Sequence, residues 1–185
     1  MPPMPMPRII PYDREAAVAY AHKWAYGRNP KFYDYENIGG DCTNFASQCL
    51  YAGTGIMNFT PTYGWYYIDP NQKAPAWTGV PYFYNFVTRE QRTRGPFGIN
   101  ATVEQMEPGD FVQFRFRDVF DHTPVIVEVG SPPTVENILV AAHSYDADYK
   151  PLIDYYQGKQ DVRFIHILGA FPRNFSQTEA RPTLL

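Results

Sequence analysis

Apolar positions recur every three to four residues in the first half of this chain and every two residues in the second, so helices are expected first and strands after them. Over 12–26, Ala17, Tyr20, Ala21 and Trp24 fall at helical spacing behind Asp13, a good capping residue, and Gly27 ends the run. Asn29-Pro30 forces an extended or turned link, and 31–38 is an aromatic connector. A second helix is expected from 43 to about 52. Cys42, Phe45, Ala46, Cys49 and Leu50 form its apolar stripe, Asp41 stands at its N-cap, and Gly53 and Gly55 stop it.

No period holds over 55–81, although Trp65, Tyr66, Tyr67 and Trp77 recur there. A segment this long and aromatic reads as an ordered insertion, either a wall of a substrate cleft or a lid on the core. A third helix starts near Thr78-Gly79-Val80-Pro81, with Phe83, Tyr84 and Val87 on its buried side, and Arg94-Gly95-Pro96 closes it. After the turn Glu107-Pro108-Gly109-Asp110, strands are predicted over 111–116, 122–129, 139–144 and 162–168. This order gives an α+β fold, with N-terminal helices packed on a C-terminal antiparallel sheet. The expected organisation is a flexible Pro/Met-rich arm over 1–11, one domain over 12–172 and a tail over 173–185.

Composition narrows the function classes. A net charge of -3 with no basic stripe argues against nucleic-acid binding. No 18-residue apolar run is present, so no membrane span is expected. The opening Met-Pro-Pro-Met-Pro-Met-Pro is not a secretory signal, which places the chain in the cytoplasm unless a leader has been removed. Cys42 and Cys49 sit on one helix roughly 10 Å apart, too far for a disulfide, so both are expected as free thiols.

Cys42 follows Gly39-Gly40-Asp41 and opens a helix, where the dipole and free N–H groups favour a thiolate and supply oxyanion donors. Cys49 lies mid-helix and is expected in the core. A nucleophilic cysteine needs a base, and that base needs an orienter. Of the four histidines, His22 and His166 read as structural. His122 opens one predicted strand and His143 closes the next, so antiparallel pairing would set their rings side by side. On this reading His122 is the base and His143 its orienter, with Asp146, or Asp121, as the alternative orienter. Asp41, Tyr35, Trp65 and Trp77 are candidate substrate-binding residues, with Asp41 backbone or the Tyr35 hydroxyl as a possible second oxyanion donor.

The Asp13-Arg14-Glu15-Ala16-Ala17 run, Arg28-Asn29-Pro30, Gly40-Asp41-Cys42-Thr43-Asn44-Phe45-Ala46-Ser47-Gln48, Trp65-Tyr66-Tyr67 and Gly109-Asp110 together resemble the Putative amidase domain family. That family is related to the papain-like NlpC/P60 and CHAP cell-wall hydrolases. The resemblance implies a circularly permuted papain-like fold, with the Cys on a helix and the base on a strand. Asp121-His122 matches its Asp-His pair, Ala142-His143-Ser144 its later histidine strand, and Thr123 replaces a more usual serine.

The function expected is a cysteine amidase or peptidase that needs no cofactor or metal and acts on a peptide or amide, including peptidoglycan-derived peptides. Two alternatives are a catalytically degenerate binding module of the same fold and, less favoured, a hydrolase whose metal is held by Asp121, His122, His143 and Asp146.

Overall fold

The fold was analysed in a computed structural model that describes residues 1–3, 8–158 and 160–179. Helix α1, Arg14–Trp24, is capped as expected: the Asp13 carboxylate accepts the Ala16 N–H at 2.9 Å. Its small buried residues Ala17 and Ala21 let it lie close to α2, Cys42–Thr54. A side chain at Gly53 would fall 2.2 Å from the Tyr12 ring, so glycine is required where the two helices meet.

Helix α2 is central rather than amphipathic, since eleven of its thirteen residues are buried. Its polar side chains therefore need internal partners, and two tryptophans of the insertion supply them. Trp65 Nε1 donates to Ser47 Oγ at 3.0 Å, and Trp77 Nε1 donates to Asn44 Oδ1 at 2.9 Å. The insertion is a lid. It contains the short hairpin β1, Tyr67–Asp69, and β2, Gln72–Lys73, followed by α3, Pro75–Thr78, and α4, Val80–Val87. Trp65 and Trp77 are wholly buried in the main apolar cluster, which corrects their expected role as substrate-binding residues.

One six-stranded antiparallel sheet backs these helices. Its strands are β3, Gly95–Ala101; β4, Phe111–Arg115; β5, Val125–Glu128; β6, Leu139–Ala142; β7, Ala147–Pro151; and β8, Asp161–Phe171, in the order β3-β8-β4-β5-β6-β7. The four strands expected from alternation are the interior ones. The two added strands are the edges. Pro96 and two glycines disguise β3, and polar residues disguise β7, features that an edge tolerates because half its backbone groups need no partner strand.

The boundaries also shift. Ile9 is buried and Ile10 pairs with Ala170, so the end of the expected arm belongs to the fold. Phe175 N–H donates to Arg92 O at 2.9 Å, fixing the start of the expected tail; residues 4–7 and 180–185 lie outside the described residues. No helix among the described residues is long and apolar enough to cross a membrane.

Candidate active site

Gly39 and Gly40 take φ of 87° and 98°, which only glycine adopts readily, and they deliver the chain into α2. The Asp41 side chain is expected to cap that helix but makes no capping bond. Its buried carboxylate turns back to accept Tyr35 N–H at 2.8 Å and Asn44 Nδ2 at 2.9 Å, and meets His143 Nδ1 at 2.5 Å. Asp41 N–H donates to Ser144 Oγ at 3.1 Å. Asp41 thus anchors the approach to Cys42, and its expected contact with substrate is replaced by these internal bonds.

His143 is fully committed to the same anchor. Its Nε2 faces Trp24 O at 2.8 Å and Arg28 Nη1 at 3.1 Å, and its ring stacks on Phe45 at 4.0 Å. Arg28 joins it to Asp34, Glu36 and Asp146, and ion pairing with Asp146 and Asp34 holds the guanidinium firmly protonated against burial. The expected His143–His122 pairing fails on register. Val125 pairs with Ala141, so continuing the ladder sets Thr123, not His122, opposite His143. A one-residue offset puts the two rings on opposite faces. Asp146 receives two bonds from Arg28 at 2.9 and 3.1 Å, and Asp121 accepts from Phe116 N–H and Arg117, so neither carboxylate orients His122. These separate commitments also split the four residues considered for a metal.

Cys42 is nevertheless brought against Thr123, the residue that follows His122, while no hydrogen bond joins its sulfur to the His122 ring among the described residues. Thr43 Oγ1 and Thr123 Oγ1 lie 3.1 Å apart, and Cys42 Sγ lies 3.7 Å from Thr43 Oγ1. Burial pushes the Cys42 thiol up; the Thr43 hydroxyl and the Thr123 and Thr43 backbone N–H groups oppose that rise by favouring the thiolate. The sequence-based expectation of a depressed thiol is therefore reversed in the free protein. Cys49 is wholly buried and is raised further, as a core thiol should be.

His122 is 7% exposed and burial lowers its pKa to about 4, with Asp121 opposing and Lys150 reinforcing the shift. Neither of its ring nitrogens has a hydrogen-bond partner among the described residues, so the neutral ring is free to accept a proton. Tyr155 lies beside it, with ring centroids 5.3 Å apart. The Tyr155 hydroxyl is buried without a partner and burial raises it to about 12, with the Cys42 charge contributing in the same direction. Sequence reading missed Tyr155, which sits in a one-turn 3-10 helix with no periodic signal. Arg28 was missed as well, although its place just after the first helix and before a Pro could have marked it.

The other titratable groups take structural places. His22 pairs with Asp148 at 2.8 Å and stacks on Tyr149, while His166 pairs with Asp110 at 2.8 Å. Glu107, Asp110 and His166 have donors close enough for an ion, but Arg14 already bonds Asp110 at 2.9 Å and fills that role. The Tyr35 hydroxyl is buried and unpartnered, and burial raises it to about 12; Lys73 lies over its ring.

The family described as Putative amidase domain matches residues 11–167. An uncharacterized protein of Bacillus subtilis (strain 168), YhbB, is 31% identical over 145 residues, covering 76% of this chain and 44% of that protein. The chain thus spans less than half the length of this relative. No solved structure matches.

Proposed function

Because the chain belongs to the Putative amidase domain family, we propose that it is an amide hydrolase whose nucleophile is Cys42 and whose base is His122. The observation that carries this reading is the seating of the Cys42 sulfur against the Thr123 N–H, with Tyr155, which lies beside the unengaged His122 ring, close enough to feel the Cys42 charge. Cys42 sulfur adds to the amide carbonyl while His122 takes the thiol proton. His122 then returns that proton to the leaving amine, and water hydrolyses the thioester.

The oxyanion is met by the Cys42 backbone N–H, left clear by the turned-away Asp41 side chain, and by the Tyr155 hydroxyl, a buried donor in want of an acceptor. His143 serves as an anchor of Asp41 and not as the orienter of the base. A circularly permuted papain-like arrangement, as in NlpC/P60 and CHAP hydrolases, accommodates a helix-borne Cys and a sheet-borne His, and cell-wall peptides are the proposed substrate class.

The test is hydrolysis of peptidoglycan-derived peptides and simple peptide amides by the purified chain, followed by mass spectrometry. Cleavage that disappears in Cys42→Ala and falls at least 100-fold in His122→Ala supports the reading. Cleavage that survives Cys42→Ala overturns it, and binding of such peptides without cleavage would assign a binding module instead.

A further inference from the structure

Cys42 sits at the end of a chain of hydrogen bonds that begins at Arg163 on β8 and runs across the helix-facing side of the sheet. Arg163 donates to Gln113 Oε1 through Nε at 2.9 Å and Nη2 at 2.6 Å. Gln113 Nε2 donates to Val80 O at 2.9 Å and to Thr123 Oγ1 at 3.2 Å. Thr123 Oγ1 meets Thr43 Oγ1 at 3.1 Å, and Thr43 Oγ1 meets Cys42 Sγ at 3.7 Å. Gln113, Thr123 and Thr43 are all wholly buried.

A hydroxyl can donate in either direction, so such a chain has no inherent polarity. Here both ends of the Gln113 amide are dictated. A guanidinium only donates, which turns Oε1 towards Arg163; a carbonyl only accepts, which turns Nε2 towards Val80 and Thr123. Having accepted from Gln113, Thr123 has its own proton left for Thr43, its remaining partner among the described residues. Thr43 in turn has Cys42 Sγ as its remaining acceptor. Every proton points at the sulfur. Arg163 is itself held in place, with its guanidinium 3.6 Å from the Tyr84 ring and 3.8 Å from the Phe120 ring.

We infer that Arg163 and Gln113 are positioning residues for Cys42, fixing the direction of a Thr123–Thr43 hydroxyl relay that presents a donor to the sulfur and so favours its nucleophilic form. This inference rests on Cys42 being the nucleophile proposed above. It adds an identified network that acts on the nucleophile from the side of the sheet, independently of the base.

The experiment measures alkylation of Cys42 by iodoacetamide across pH, resolved from Cys49 by peptide mass spectrometry. Thr43→Val keeps the shape and removes the last donor. It should shift the pH–rate midpoint up by about one unit and slow alkylation at pH 7.5 about tenfold, and Thr43→Ser should restore the wild-type profile. Gln113→Glu keeps an acceptor for Arg163 but offers Thr123 an acceptor in place of a donor, and should shift the midpoint the same way. A merely structural role would lower the melting temperature without moving the midpoint. A Thr43→Val protein with the wild-type profile overturns the inference. If the profile shifts while the wild type cleaves no amide, the amidase reading falls and the relay stands; if amide cleavage needs Cys42 but Thr43→Val alkylates normally, the relay falls alone.

Discussion

His122 stands just before β5 and His143 just after β6, at the same end of neighbouring strands, yet their surroundings are opposite in kind. Around His143 the polar groups have partners: Asp41, the Trp24 carbonyl, Arg28, Glu36 and Asp146 form a closed network at the foot of α2. Around His122 they are left open, with its two ring nitrogens unbonded and the neighbouring Tyr155 hydroxyl unpartnered. A buried hydroxyl without a partner, as at Tyr155, costs about 1–3 kcal/mol. The closed region holds the start of α2 in place; the open region is the one with bonding capacity to spare, which is where the proposed reaction would draw on it.

The sharpest way to break this contrast is through turnover. His122→Ala should reduce amide cleavage by about 100- to 10,000-fold, the usual contribution of a general base, with a loss of stability no larger than the cavity left by its ring accounts for. A large loss of folding stability in this variant would show that His122 belongs to the closed class.

The converse holds for His143. Removing it takes the nearest partner from the buried Asp41 carboxylate, which keeps Arg28 Nε at 3.6 Å and the Tyr35 and Asn44 donors, so His143→Ala should cost about 1–3 kcal/mol in denaturant titration. Its kinetic effect should also combine with that of His122→Ala as an independent factor. If the double variant turns over no more slowly than His122→Ala alone, His143 does orient the base.

A third measurement uses pH. Burial lowers His122 to about 4 from an ordinary value near 6.5, so in that interval the unfolded chain takes up a proton that the folded chain refuses. Stability should therefore fall as pH drops from about 6.5 to about 4, by up to about 3 kcal/mol, and His122→Asn should flatten this slope. The same shift keeps the base neutral in weak acid and places the acid limb of turnover near pH 4. A limb near 6.5 would show that the ring is hydrated when it acts.

The smallest effect expected is at Tyr155. Tyr155→Phe preserves the ring beside His122 and deletes only the unpartnered hydroxyl, so stability should hold or rise by about 1 kcal/mol. Its readout is that rise set against lower turnover. Lower stability with full turnover would move Tyr155 to the structural side.

Much of this was legible in the residues, and the failures share a physical origin. Periodicity identified α1, α2, α4 and the four interior strands, because a buried face writes its period into the sequence; the single turn α3 lies in the stretch without a period. Edge strands need no such face, and β3 and β7 were missed. The Gly-Gly-Asp-Cys stretch marked the start of α2 correctly but implied a capping Asp41, whereas the carboxylate is drawn off by His143, 102 residues away. Pairing His122 with His143 needed the register between β5 and β6, and in a sheet an error of one residue exchanges faces. Trp65 and Trp77 looked like a cleft wall because aromatic composition is the same for a cleft and a core; only the polar residues of a fully enclosed α2 explain why indole N–H groups are required inside.

The seat of Cys42 is assembled from distant sequence: Thr123, His143 and Ser144 fasten Thr43, Asp41 and the loop before them. During synthesis, α2 emerges long before any of these partners. The nascent N-terminal half carries Cys42 on a helix start that these partners do not yet hold, so the proposed site cannot assemble before Thr123, His143 and Ser144 have emerged. The order of synthesis thus separates the making of the thiol from the making of its seat by about 100 residues of chain.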